Sequence, residues 1–189
     1  MSDRLYLSIW LRQNAGADRL RHFARMLERF PFSKLAKHGQ VLRVYAIEHA
    51  EPPLTEREFP LGMEPDVIMN AAREFAADDC CTLVDASWDL WQMEEDWKLG
   101  PAPVTLACFG PEFENDGGDH LRIDFGLEAR FLPQKGIDTR VVQENIRSLL
   151  HLVGDLDRVL SPERRTLWSE SGANFAEVLA STLTSLDVN

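Results

Sequence analysis

Three tryptophans and four acidic residues lie within the ten-residue segment 88–97. Indole faces attract cations and carboxylates form charge-assisted hydrogen bonds with them, so this composition suits recognition of a cationic partner. In the alternative interpretation, Trp88 and Leu90 are alternate core residues, Trp91 packs beneath a loop, and the acids are solvated. Trp97 is the tryptophan that we expect to be most exposed. The predicted binding residues of this segment are Trp88, Trp91, Glu94, Glu95, Asp96 and Trp97.

A second acidic cluster occupies segment 111–120, whose sequence is PEFENDGGDH. Oxygen-rich loops bind calcium or magnesium, but this spacing lacks the alternating ligands and terminal glutamate of an EF-hand loop. Asp, Asn and Gly also dominate plain hairpin turns for backbone reasons, and we favour that interpretation, with no bound metal. The predicted binding surface extends to Glu112, Asp116 and Asp119. A metal-dependent hydrolase, the enzymatic alternative, would use Asp116, Asp119 and His120, with Asp124 as a further ligand.

The most regular alternation in the chain runs over residues 120–132, where one face is apolar and the other is polar. Paired carboxylates on one sheet face serve as acid and base when their surroundings separate their pKa values. Opposite charges at two-residue intervals also pair with each other or across strands, and we favour such structural ion pairs. The polar face consists of His120, Arg122, Asp124, Glu128 and Arg130.

The first predicted helix presents Arg21, Arg25 and Arg29 at four-residue steps. Like charges at this spacing repel each other, so the stripe gains when an anion lies against it. That anion is either nucleic-acid phosphate or the acidic middle of the same chain. Because the net charge is -11, we favour the intramolecular or solvated state and expect no nucleic-acid partner.

Charge is sorted along the chain. Residues 1–47 contain 9 Lys+Arg and 3 Asp+Glu, residues 48–128 contain 4 and 20, and residues 129–189 contain 7 and 8. A field this lopsided affects steering and partner choice rather than fold. The acidic stretch over residues 48–128 suits a basic protein partner.

The bulk properties predict one soluble domain over residues 1–189. There is no apolar run long enough for a bilayer and no pattern of an export signal, so we expect a cytoplasmic protein without a membrane partner. The cysteines Cys80, Cys81 and Cys108 are odd in number and lack zinc spacing, which agrees with a reduced state. The sequence contains no nucleotide-binding or nucleophile-elbow motif, and we expect no cofactor.

The pattern of elements predicts an α+β fold. We expect a sheet of about five strands, mixed but largely antiparallel, with a β-α-β start, a three-strand meander and helices packed on one face. The predicted strands cover 5–11, 41–49, 82–91, 104–109 and 120–132. The predicted helices cover 18–30, 65–77, 137–160, a short turn over 162–168, and a final helix that begins near Asn174.

The leading hypothesis for function is a non-enzymatic, acidic interaction module that holds a basic partner, as nuclease inhibitors and immunity proteins do. That analogy depends on size, charge and composition alone. Two alternatives stay open: the metal-dependent hydrolase, and a structural subunit of a homo-oligomer. In the oligomer, Trp10, Trp97 or Trp168 would anchor the interface. The sequence leaves the oligomeric state and the strand order open.

Overall fold

The computed structural model describes residues 3–14, 17–93, 95–132, 139–170, 172, 175 and 177–179. The strands are β1 (Arg4–Trp10), β2 (Val41–Ala46), β3 (Thr55–Glu58), β4 (Cys80–Met93), β5 (Trp97–Phe109), β6 (Leu121–Leu127) and β7 (Arg164–Ser169). The helices are α1 (Ala17–Arg29), α2 (Pro65–Arg73), α3 (Thr139–Leu160) and a 3-10 helix (Glu128–Phe131). No helix within the described ranges is long and apolar enough to cross a membrane.

The seven strands form one sheet in the order β3-β2-β4-β5-β6-β1-β7, and all neighbouring pairs are antiparallel. The predicted fold, a mixed sheet of about five strands with helices packed on one face, is therefore wrong in its number of strands and in its parallel pair, although the class remains α+β. Strands β1 and β2, expected to form a parallel pair, are separated by three other strands. Instead, β1 lies between β6 and β7. A local apolar pattern shows that a strand exists but carries no information about such distant pairing.

Two edge strands account for the difference in strand number. Strand β3 has the sequence TERE and lies where a loop was predicted. Strand β7 has the sequence RRTLWS and lies where Pro162 led us to predict a short helix. An edge strand buries little and is protected by charged residues, so its apolar alternation is weak. The predicted final helix lies mostly outside the described residues, of which Phe175 and Leu179 are helical and buried.

Strand β6 ends at Leu127, five positions before its predicted end at residue 132. The backbone of Gly126 has a φ of 73°, which is the left-handed region that glycine adopts without strain. The chain leaves the sheet there and continues as the 3-10 helix.

Alternate strand side chains pack with residues of α1, α2 and α3 into the main core. These residues include Leu5, Leu7 and Ile9 of β1, Phe23 and Leu27 of α1, Ile68 of α2, Leu121, Ile123 and Phe125 of β6, and Val142, Ile146 and Leu149 of α3. The side chains between them in each strand point to the other side of the sheet, because successive side chains alternate. We call that side the open face.

Strands β4 and β5 extend beyond their other neighbours in the sheet. Strand β2 pairs with β4 only over Cys80–Asp85, and β6 pairs with β5 only over Thr105–Cys108. The remaining part, residues 86–93 with 97–104, forms a two-stranded ribbon. Asn145 of α3 binds the backbone of this ribbon at Trp91.

Candidate binding cleft on the open face

A recess of about 320 Å³ lies on the open face. The short or half-buried side chains of Leu83, Thr105 and Ala107 form its floor, on the adjacent strands β4 and β5. Taller side chains surround this floor, so the pleated surface is hollow at this point. The surrounding residues are Tyr6, Tyr45, His49, Phe109, Arg122 and Asp124.

A second recess of about 520 Å³ adjoins the first and shares His49, Phe109 and Arg122 with it. Its other lining residues are Glu48, Ala50, Glu114, Asn115, Asp116, Gly117 and Trp168. We call the two recesses together the open-face cleft. Its lining carries four carboxylates, Glu48, Glu114, Asp116 and Asp124, against one guanidinium, Arg122.

Aromatic rings form both sides of the open-face cleft. On one side, Tyr6 and Trp168 stack with their centroids 4.5 Å apart, and the Trp168 indole Nε1 donates to Ser8 Oγ at 3.0 Å. On the other side, the His49 ring meets Tyr45 edge-on at 5.2 Å and Phe113 at 4.8 Å. Such contacts fix the orientation of the rings.

Arg122 and the buried Asp119 form the central ion pair of the cleft. Arg122 Nε donates to Asp119 Oδ2 at 2.8 Å and Nη2 donates to Oδ1 at 2.6 Å, while Asn115 Nδ2 donates to Oδ1 at 2.9 Å. The Arg122 guanidinium lies 5.0 Å from the centre of the Phe109 ring. Burial favours a higher pKa for Asp119, but the hydrogen bonds from Arg122, Ser8 and Asn115 outweigh it, so that its pKa lies below the usual value. The buried Asp119 carboxylate thus neutralises the positive charge of Arg122.

A second ion pair lies at the Tyr6 side of the cleft. Arg4 Nη2 donates to Asp124 Oδ2 at 2.6 Å, and the Tyr6 hydroxyl donates to Glu170 Oε1 at 2.9 Å. Burial, followed by the hydrogen bond to Glu170 and the charge of Asp124, raises the pKa of Tyr6 to about 12. Tyr6 is therefore protonated over the physiological range and keeps its hydroxyl directed at Glu170.

His49 enters the cleft from a strained turn that follows β2. Ile47 has a φ of 68° although it is β-branched, a conformation that costs such residues about 1–2 kcal/mol. Two backbone hydrogen bonds hold it, from Ile47 N to Asp79 O at 2.8 Å and from Glu114 N to Ile47 O at 2.7 Å. Burial, and then the charge of Arg122, lowers the pKa of His49 below its usual 6.5. The cleft therefore favours the neutral form of His49 over the charged one.

Replacing Ile47 with Gly is expected to raise the free energy of unfolding by about 0.5–1 kcal/mol. The relief of left-handed strain exceeds the extra entropy of glycine in the unfolded chain, and Ile47 is 60% exposed, so little burial is lost. Urea unfolding measures the change. The control Ile47→Ala keeps a Cβ and should give no gain; an equal gain for Ala would contradict the strain argument.

The structure divides the sequence-predicted surface into two groups at opposite ends of β5. Glu95 and Asp96 are exposed at the turn before β5, whereas Glu112 and Asp116 are exposed in the loop after it. The 13 residues of β5 span roughly 40 Å at the usual rise of a strand. Of these two groups, the second lies beside the open-face cleft.

The tryptophans of segment 88–97 are more buried than a binding surface requires. Trp88 is 4% exposed and packs in the main core against Phe30 and Phe125. Trp91 and Trp97 are half-buried, and Trp97 packs against the core. Glu94 lies outside the described residues. Most of segment 88–97 therefore belongs to the ribbon, and its exposed acids Glu95 and Asp96 lie at the turn between β4 and β5.

Three of the four residues of the metal hypothesis have other partners. Asp119 is 1% exposed and binds Arg122, Asp124 binds Arg4, and His120 Nδ1 accepts a hydrogen bond from Leu11 N at 2.8 Å. Among the residues that the structure describes, no group of three His, Cys, Asp or Glu side chains is placed to hold a metal ion.

The predicted stripe of α1, Arg21, Arg25 and Arg29, is exposed, whereas the neighbouring Arg19 is buried. Arg19 is 2% exposed, and its Nη2 donates to the carbonyls of Ala76 and Ala77 at 3.1 and 3.0 Å. Arg21 pairs with Asp18 on its own helix at 2.7 Å. Arg19 therefore joins α1 to the segment before β4.

Sequence reasoning missed Tyr6, Tyr45 and His49, and it named Trp168 only as an interface anchor in the homo-oligomer alternative. The available signal was that Tyr6 and Tyr45 alternate with core residues of their strands and therefore lie on the other face of the sheet. Phe109 lies on that face too, where it is buried in a small cluster with Cys81, Ala107 and Phe113, and Tyr45 packs against this cluster. Only the strand order brings them together.

Comparisons with protein-family models, curated proteins and solved structures find no match for this chain.

Proposed function

We propose that the protein is a non-enzymatic interaction module whose open-face cleft binds a basic protein partner. The observation that carries this proposal is a hollow with aromatic sides and an acidic rim. Aromatic faces attract a cation, and the carboxylates Glu48, Glu114 and Asp116 line the larger recess. The aromatic faces and the carboxylates both attract cations, so they favour the same class of ligand.

Electrostatics favours a cationic guest over an anionic one. The single arginine of the lining, Arg122, is bound to the buried Asp119, and the pKa of His49 is lowered by burial and then by Arg122. The exposed carboxylates therefore dominate the local potential, in a chain whose net charge is -11. A field of one sign over a concave surface steers oppositely charged partners to it.

The test is binding of a fluorescent eight-residue peptide of alternating lysine and arginine, followed by anisotropy at low and high salt. Three matched double variants each remove one Glu and one Asp charge from exposed sites: Glu114→Gln/Asp116→Asn at the cleft, Glu95→Gln/Asp96→Asn at the ribbon turn, and Glu64→Gln/Asp66→Asn at the start of α2. The cleft variant should weaken binding about tenfold at low salt, or about 0.7 kcal/mol for each carboxylate.

The two other variants should change the affinity by less than about twofold, since they carry the same change in net charge at remote sites. Equal weakening in all three variants would mean that only net charge matters, and would refute the cleft as the binding site. A larger effect of the ribbon-turn variant would move the site to Glu95 and Asp96. Equal binding of an octaglutamate peptide would refute the preference for a basic partner.

A further inference from the structure

Three oxygen-bearing side chains lie in one row across the smaller recess. Thr105 and Tyr6 each lie opposite Asp124 in the strand register. The Cα atoms of Thr105, Asp124 and Tyr6 thus follow one another across three adjacent strands, over two strand spacings or roughly 10 Å. The row borders the hollow over Ala107.

The two hydroxyl groups of this row direct their hydrogens away from a guest. Thr105 donates to Asp85 Oδ1 at 2.7 Å, and Tyr6 donates to Glu170 Oε1 at 2.9 Å. Because each hydrogen is already used, each hydroxyl oxygen has only its lone pairs left for a guest and acts as an acceptor.

The Asp124 carboxylate also keeps accepting capacity. Its Oδ2 accepts from Nε and Nη2 of Arg4 at 2.9 and 2.6 Å, and its Oδ1 accepts from the backbone N–H of Gly126 at 2.8 Å. A carboxylate has about four lone-pair sites, and the side chain is 18% exposed. One accepting site, on Oδ1, therefore remains for a further donor.

A row of acceptors beside aromatic rings matches a guanidinium better than an ammonium. The guanidinium is planar, has five donors in a fixed fork, stacks on rings and is weakly hydrated. The ammonium is a compact, strongly hydrated point charge with three donors, so it loses more hydration in a half-buried hollow.

The protein itself uses guanidinium groups in these surroundings. Three aspartates of this region each bind an arginine: Asp124 binds Arg4, Asp85 binds Arg43 and Asp119 binds Arg122. In the third pair the guanidinium also covers the Phe109 ring. Guanidinium is thus the cation that the carboxylates and the Phe109 ring of this region bind within the protein.

We propose that the recess over Thr105 and Ala107 receives one arginine side chain of the basic partner, in preference to lysine. The proposal rests on the proposed function, because it names the group held at the centre of the open-face cleft. The carboxylates of the rim attract any cation, and the recess distinguishes arginine from lysine.

The experiment compares three labelled peptides: octalysine, octalysine with one central arginine, and octalysine with one central citrulline, the neutral analogue of arginine. The arginine peptide should bind about tenfold more tightly than octalysine, and the citrulline peptide less tightly than either. The variant Leu83→Trp fills the recess and leaves every charge in place, so it should bring the arginine-to-lysine ratio close to one. The control Val41→Trp adds the same ring to another half-buried open-face position outside the cleft and should keep the ratio.

The outcomes distinguish failure of the arginine site from failure of the proposed function. Equal binding of the arginine and lysine peptides, still weakened by Glu114→Gln/Asp116→Asn, would overturn the arginine site and leave the proposed function standing. A preference that persists in folded Leu83→Trp would also overturn it. Binding of no peptide would overturn both. If Leu83→Trp does not fold, NMR of the wild-type protein decides: N-acetylarginine amide should shift the Ala107 methyl resonance more than N-acetyllysine amide does, and the absence of such a shift overturns the site.

Discussion

Replacing Asp119 with Asn is expected to lower the free energy of unfolding by about 3–5 kcal/mol. The Asp119 side chain has no exposed surface and accepts two hydrogen bonds from Arg122 and one from Asn115. An amide cannot neutralise the guanidinium, and it turns an N–H group toward the donors of Arg122. Removing one partner of a buried, hydrogen-bonded pair leaves the other charge uncompensated, which costs an amount of this size.

Urea unfolding at pH 7 measures this loss. Asp116→Asn is the control, because Asp116 lies in the same loop, is exposed, and should change stability by less than about 0.5 kcal/mol. Combining Asp119→Asn with Arg122→Met should recover part of the loss, since the unpaired guanidinium is then removed. A loss below about 1 kcal/mol in the single variant would contradict the assigned role of the pair.

The same pair predicts how the difference between wild type and variant depends on pH. Because the folded-state pKa of Asp119 lies below its usual 3.8, its contribution is complete above pH 3.8 and is lost as the pH falls through the folded-state pKa. The stability gap between the wild-type protein and Asp119→Asn should therefore narrow in acid below pH 3.8. A gap that stays constant down to pH 2 would show that the carboxylate charge does not stabilise the fold.

Asp119 shows which features of the site could be predicted from the sequence and which could not. Its loop was predicted as an acidic turn, and the polar face of β6 was predicted to form ion pairs, because both depend on neighbours a few residues apart. The geometry that buries Asp119 depends also on Ser8 of β1, which is more than a hundred residues away. Strand alternation assigns a residue to a face, but it does not identify the strand that lies beside it.

The open-face cleft could not be predicted for the same reason. Tyr6, Tyr45, Phe109 and Trp168 come from four different strands, and each stands singly in its own segment. The acidic segment 88–97 was conspicuous because its residues are adjacent in sequence, yet Trp88 is in the core. Composition within one window indicates chemistry only when the fold keeps that window at the surface.

Replacing Asn145 with Leu is expected to lower the free energy of unfolding by about 3–5 kcal/mol. Asn145 is 1% exposed; its Oδ1 accepts from Trp91 N at 2.9 Å, and its Nδ2 donates to the carbonyls of Trp91 and Arg130 at 2.8 and 2.9 Å. Leucine has a similar volume but pairs with none of these groups. One backbone N–H and two carbonyls lose their partner, at about 1–3 kcal/mol for each group left unsatisfied.

Urea unfolding measures the loss, and hydrogen exchange locates it. Asn70→Leu is the control, because Asn70 lies on α2 and is exposed, so its replacement should stay within about 0.5 kcal/mol. In folded Asn145→Leu, the Trp91 amide should exchange faster than in the wild type, whereas the amides of β6 should be protected in proportion to global stability. The ribbon is held to the rest of the fold partly by this side chain, and it lies at the far end of β5 from the acidic rim. The folded variant should therefore bind the basic peptide with unchanged affinity, and a loss of affinity would mean that the ribbon and the cleft are one binding surface.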